Sequence, residues 1–289
     1  MITSSIDSRV AVVTGASRGV GRGIAVALGQ HGYTVYVTGR TENPGQASLP
    51  GTIFETAAAV TARGGKGIAV RVDHANDVET QALLERVARE QKRLDILVNN
   101  VAAIHDDLIK VGGFWEKSLG LADILDVGLR SQYVASYYAA PMMVKQKRGL
   151  IAFTSSPGSV CYVHGPAYGA QKAGVDKFAA DMAVDLKQHE VAAVSLWLGL
   201  VLTERTRAVI DKEPDKYQQI LAGAETPEFT GHIIAALYDD PRLMEQSGQT
   251  LIAAEAAIHY GLKDAEDKQP PSHRAMFGGP RIPHPAIVR

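Results

Sequence analysis

The sequence predicts a doubly wound α/β fold with a seven-stranded parallel sheet in a single domain. Three observations carry this. Seven short apolar runs alternate with longer amphipathic ones along the chain. The short runs are rich in β-branched residues and apolar on both faces, as strands buried from both sides are. The first of them is followed directly by a glycine-rich turn that opens a helix.

In order, the strands are read at 9–14 (RVAVVT), 33–38 (YTVYVT), 67–72 (GIAVRV), 94–100 (LDILVNN), 149–156 (GLIAFTSS), 191–198 (VAAVSLWL) and 248–253 (GQTLIA). Helices are read near 20–31, 52–63, 77–92, 115–147, 166–189 and 226–239. No internal repeat or linker divides these elements. The stretch 263–289 differs, holding five of the thirteen prolines. Proline resists helix and central strand alike. A free tail and an ordered arm, lying on its own body or on a neighbouring subunit, both suit it; the arm is the reading preferred.

Composition narrows the function classes. The 289 residues carry 30 basic and 31 acidic side chains, a net charge of −1. This gives no reason to expect a nucleic acid or an anionic membrane as partner. No apolar run is long enough to cross a bilayer, and the start, MITSSIDSRV, has no apolar signal region. The single cysteine, Cys161, allows no intrachain disulfide and suits a reducing cytoplasm. The histidines never fall at metal-ligand spacing, so no metal site is expected.

The glycine turn is VVTGASRGVGRGIA. Gly15, Gly19 and Gly21 permit a tight turn and close backbone approach to a ligand. The helix start then offers unpaired N–H groups to a pyrophosphate. The second strand ends at Gly39, where a carboxylate often binds an unphosphorylated ribose. Arg40 follows, and Arg18 sits in the turn. A guanidinium fork matches a phosphate, so the pair favours NADP(H).

Further along, YGAQK sets Tyr168 and Lys172 four residues apart, on one helical face. A free phenol, with a pKa of about 10, is a poor neutral-pH catalyst. A neighbouring ammonium is expected to lower that value and let the phenol exchange a proton with an alcohol oxygen. Ser156 ends the fifth strand and can polarise a carbonyl; Ser155 replaces it if the register slips by one.

Together these segments resemble the short-chain dehydrogenase/reductase family. TGASRGVG matches its cofactor motif, NNVA (99–102) its Asn-Asn-Ala-Gly, TSS (154–156) with YGAQK its catalytic set, and LGLVLT (198–203) its Pro-Gly-x-Val-x-Thr. The resemblance implies a domain over 1–262, with 263–289 as its arm. It implies Ser156, Tyr168 and Lys172 as catalytic residues. It also implies cofactor contacts from Gly15, Ser17, Arg18, Gly19, Val20, Gly21, Arg40, Asp73 (adenine), Asn99 (adenosine ribose), Tyr168, Lys172 and Thr203 (nicotinamide amide). Activity is then NADPH-dependent interconversion of a small carbonyl compound and its alcohol, in a homodimer or homotetramer paired through the helices at 115–147 and 166–189. A cofactor-binding sensor with little turnover is the rival reading.

One departure stands out. Many family members place an Asn in the helix after the fourth strand, in a proton relay; here Gly128 stands there. Water with Ser131 one turn on, or no relay at all, are the two expectations. His164 is read as a loop residue or a substrate contact, Phe114 and Trp115 as core anchors or pocket walls, and Cys161 as structural. The segment 203–228 implies a lid over the substrate.

Overall fold

The computed structural model describes residues 9–212, 214–215 and 221–289. Seven parallel strands form one sheet: β1 (Val10–Val13), β2 (Thr34–Gly39), β3 (Lys66–Arg71), β4 (Ile96–Asn99), β5 (Gly149–Ser155), β6 (Val191–Trp197) and β7 (Thr250–Ile252). Their spatial order is β3-β2-β1-β4-β5-β6-β7. The order reverses between β1 and β4, where Ala11 pairs with Ile96 and Val13 with Val98. A crevice opens at the carboxyl ends of the strands at such a reversal, and ligands bind there.

The pleat sorts the core into two layers. Ala11 and Val13 face the cluster formed with α1 (Gly19–Gln30), α2 (Ile53–Ala62), α7 (Phe229–Asp239) and α8 (Ala253–His259). Val10 and Val12 face the other, built with α3 (Asp77–Gln91), α4 (Ser131–Gln146) and α5 (Pro166–Leu186). Strands buried on both faces have no polar side to alternate with, hence the unbroken apolar runs.

Local chemistry sets the helix starts. Thr52 caps α2 by accepting from Glu55 N, and Asn76 caps α3 by accepting from Val78 N. α5 begins with Pro166 after Gly165, whose φ of 103° only glycine adopts readily. α6 (Glu204–Ile210) begins after Thr203, whose hydroxyl accepts from Thr206 N.

The helix expected over 115–147 is shorter. Three 3₁₀ turns (Asp106–Ile109, Phe114–Glu116, Leu119–Ala122) lead to a single turn, Asp123–Leu125, and a π turn, Asp126–Arg130. Regular helix starts only at Ser131. Gly112, Gly113 and Gly120 lie in the irregular part and weaken helix there. Phe114 and Trp115 are exposed, so they are not core anchors.

The tail lies on its own body as far as Phe277. Asp264 accepts from Thr226 N, and Arg274 bonds Glu255 at 2.7 and 2.8 Å. The His273 ring stacks on Trp197 with centroids 6.2 Å apart. Beyond Arg281 the chain is exposed. Among the described residues no helix is long and apolar enough to cross a membrane.

Candidate active site

The glycine turn occupies the β1–β4 crevice. Gly15 takes a φ of 65°, and a Cβ there would stand 2.8 Å from Val101 Cα. At Gly21 a Cβ would lie 2.4 Å from both Gly15 O and Asn100 Nδ2. Both contacts are too short for any side chain, so the turn accepts glycine alone. Asn100 holds it from below, donating to Thr14 O at 2.9 Å and Gly15 O at 3.2 Å. Ser17 is buried beside it, and Val20 packs on the core. At the head of α1, Gly19 N donates to Glu204 Oε2 at 2.9 Å. The carboxylate stands in for an anion and shows that the unpaired N–H groups of this helix start take one. The turn therefore fits a pyrophosphate.

The flanking residues are less uniform. Arg18 is turned to the 50–51 loop, donating to Pro50 O, Gly51 O and Thr41 Oγ1. Arg40 is two-thirds exposed and makes only a loose pair with Asp73, at 3.7 Å. Gly39 leaves no carboxylate between them. Asp73 accepts from Ala75 N in a local turn. Asn99 differs from the expectation. Its side chain is fully buried and donates to Ser136 on α4, because β4 points it into the helix layer. It does not face the turn, so a ribose contact is left to its backbone. Thr203 caps α6 and lies beside Gly19, and a Cβ there would be 3.5 Å from its methyl.

Ser156, Tyr168 and Lys172 come together at the end of β5. Ser156 Oγ and Tyr168 Oη are 2.9 Å apart. Ser155, one residue earlier, points to the other side and bonds Lys172 O, so the register that meets the phenol is Ser156. Lys172 lies in the next turn of α5, its Nζ 5.4 Å from the Tyr168 ring centre. That Nζ donates to Thr154 O at 3.1 Å and does not reach the phenol oxygen. The expected lowering of the phenol is therefore not found. Burial holds Tyr168 above its ordinary value, and the Ser156 bond opposes this. Burial also pushes Lys172 down to about 8, against the pull of Asp176.

Three residues near this set escaped the sequence reading. Asp176 continues the 168–172 spacing by one more turn. It is fixed by Ser195 Oγ at 2.6 Å and Trp197 Nε1 at 2.8 Å, so the repeat of four was its signal. Gln171 lies inside YGAQK and is buried. Its Nε2 donates to Gly128 O at 2.7 Å, and a Cβ on Gly128 would meet its Cγ at 3.1 Å. Gln171 thus occupies the space beside Gly128. Ser131, expected to help there, instead donates to Val127 O at 2.5 Å. The third is Glu225, 1% exposed, with Oε1 accepting from Gly199 N and Oε2 without a partner. Burial pushes its pKa up to about 7, the Gly199 N–H working against it. Nothing in its sequence context marked it.

Beyond Tyr168 a cavity of about 370 Å³ lies between the first turn of α5 and the irregular segment 108–125. His164 lines it and stands edge-on to the Tyr168 ring, with centroids 5.1 Å apart. It takes a left-handed φ of 59°, which histidine adopts more readily than most side chains. Phe114 also lines the cavity; Cys161, its Sγ on Pro157 O, does not. The lid expected at 203–228 is described only in part: 213 and 216–220 lie outside the described residues.

Known proteins resemble this chain in sequence and in fold. The sequence profile described as short chain dehydrogenase matches residues 9–214. Dehydrogenase/reductase SDR family member 1 of Mus musculus is 40% identical over 278 residues, covering 92% of this chain and 86% of that protein. A 3-oxoacyl-[acyl-carrier-protein] reductase of Synechocystis is 31% identical over 251 residues, covering 86% and 96%. In fold, a short-chain type dehydrogenase/reductase from Mycobacterium marinum superposes with a TM-score of 0.71 at 23% identity, covering 84% of this chain and 93% of that one.

Proposed function

Because the chain belongs to the short-chain dehydrogenase/reductase family and is an NAD(P)-dependent oxidoreductase, we propose that it reduces a ketone or aldehyde to an alcohol with NADPH, reversibly, through Ser156, Tyr168 and Lys172. The observation that carries this is the 2.9 Å contact of Ser156 Oγ with Tyr168 Oη, with a buried ammonium one turn away. Two hydroxyls at that separation can both donate to one carbonyl oxygen. Burial keeps the phenol protonated at neutral pH, the form that a reduction needs. Ser156 polarises the carbonyl, and Tyr168 gives its proton to the oxygen as negative charge builds there. Lys172, anchored on Thr154 O, supplies positive charge that eases the phenolate left behind. The dinucleotide, when bound, supplies the hydride.

Gly15, Ser17, Gly19, Val20 and Gly21 would hold its pyrophosphate. Arg18 and Arg40 would flank an adenosine phosphate, Asp73 the adenine, Asn99 through its backbone the adenosine ribose, Tyr168 and Lys172 the nicotinamide ribose, and Thr203 the amide. NADPH is favoured because no carboxylate stands at Gly39 and Arg40 has only the loose Asp73 pair to give up. Exposed Tyr133 and Tyr137 on α4 support a homodimer or homotetramer, and the lone thiol of Cys161 a cytoplasmic location.

The test is cofactor oxidation by the purified protein, with NADPH and NADH side by side, against ketones, aldehydes and quinones. Turnover with NADPH alone is expected. Preference for NADH would overturn the cofactor reading and keep the chemistry. Tight NADPH binding without turnover of any carbonyl would favour a sensor, the reading that Gly128 supports.

A further inference from the structure

The wall of the cavity beside Tyr168 is mostly aliphatic and aromatic, with Leu108, Phe114, Leu121 and Leu125 among its residues. At about 370 Å³ it lies in the range of small-molecule pockets. One cation interrupts that wall. Lys117 lines the cavity and is half-buried. Its Nζ makes a single long bond, to Leu108 O at 3.4 Å.

The acidic side chains nearest in sequence are engaged elsewhere. Asp107 pairs with Lys110 and accepts from Ser118 N. Asp106 pairs with Arg205, and Glu116 accepts from Gly113 N. Among the described residues Lys117 forms no ion pair. His164, also in the wall, is held below its ordinary value by burial and by Lys117, so it stays neutral and adds no second positive charge. A half-withdrawn ammonium in an apolar wall lacks both full hydration and an anion. Such a group attracts a negatively charged ligand more strongly than a fully solvated lysine does.

We infer that this pocket selects apolar carbonyl compounds that carry one carboxylate, with Lys117 as its counter-charge and His164 as the spacer between the apolar body and Tyr168. This rests on the carbonyl-reductase reading and adds the substrate class. Lys117 is a specificity-determining residue here, remote from the proton transfer.

The probes are 6-acetyl-2-naphthoate and its carboxamide, equal in shape and different in charge. Their binding is measured by calorimetry on the wild-type protein, Lys117→Met and Lys117→Arg. The expected result is a carboxylate bound about tenfold more tightly than the amide by the wild type, a difference of roughly 1.4 kcal/mol. Lys117→Met should remove that difference while leaving amide binding unchanged, Lys117→Arg should restore it, and raised salt should shrink it. Equal binding of acid and amide by the wild type would overturn the inference, as would Lys117→Met weakening both alike. Reduction of the same two ketones with NADPH is followed separately. Selective binding without turnover of either would sink the reductase reading and leave the carboxylate selectivity standing.

Discussion

The glycine turn at the crevice is shaped by backbone; the cavity across from it is shaped by side chains hung on irregular turns. Gly15 lies between β1 and the twelve-residue α1, Gly19 and Gly21 lie in the first turn of that helix, and Asn100 bonds the turn from the end of β4. Across the crevice, Phe114 is carried by a 3₁₀ turn, Lys117 by the extended residue that follows it, and His164 by a loop position of left-handed φ. A backbone site is specified by where side chains are forbidden, so it tolerates few sequences. A side-chain site is specified by which residue happens to stand on each turn, so it can be re-tuned without disturbing the sheet.

The sharpest way to separate the two sides is Tyr168→Phe. It removes the proton and keeps the ring, so turnover should fall about a thousandfold while NADPH affinity, read by fluorescence titration, falls only about two- to tenfold, the worth of one hydrogen bond to the ribose. Parallel loss of both would show that the halves are not independent. Gly21→Ala attacks the other side. Its Cβ would meet Gly15 O and Asn100 Nδ2 at 2.4 Å, and NADPH binding should weaken about ten- to a hundredfold, or roughly 1.4–2.8 kcal/mol. Unchanged affinity would mean that the turn relaxes freely.

Glu225 tests the join between the two. Its side chain bonds Gly199 N, and its backbone bonds Leu200 O and Leu202 N, so it ties the segment after β6 to the residues before α7. With a folded pKa raised from 4.5 to about 7, the native state holds the proton through a window where the unfolded chain has released it. Stability should therefore fall as pH rises from about 4.5 to 7. Glu225→Gln keeps the oxygen acceptor and removes the charge. It should match the wild type near pH 4.5 and exceed it at pH 8, by on the order of 2–3 kcal/mol, in denaturant melts at both values. Equal melts at pH 8 would show that the carboxylate is neutral or hydrated there.

The smallest effect expected is at Glu204, whose carboxylate holds Gly19 N at 2.9 Å. An anion arriving at that helix start must displace it. Glu204→Ala should tighten NADPH binding about two- to fivefold, from the roughly 0.3–1 kcal/mol that a carboxylate gains at such a terminus. Weaker binding in the variant would instead make Glu204 a support of the loop.

The same division explains what could be read from the sequence. The sheet was legible because the five inner strands are buried on both faces and read as apolar runs, β5 and β6 most plainly, while the edge strands β3 and β7 are only partly buried. The glycine turn and Tyr168–Lys172 were legible because their spacing is local. The meeting of Ser156 with Tyr168 was too, once the strand end was placed. The direction of the Asn99 side chain was not legible, because the strand's alternation decides it and the residue type does not. The tuning of Tyr168 was misjudged because spacing cannot show that Nζ bends away to Thr154 O. Glu225 and Glu204 left no local pattern, since each works through a partner 26 or 185 residues away.

The π turn at Asp126–Arg130 closes hydrogen bonds over one residue more than an α turn. It is in effect a one-residue insertion absorbed inside a helix. Removing a single residue there would return the segment to α-helix and leave the part of the chain that holds Phe114 and Lys117 close to its present place around the axis of α4. Straightening the turn at constant length would instead rotate that part by about 100°. The pocket wall thus keeps its position through local slack in one turn, which takes up a one-residue change of length without passing it on.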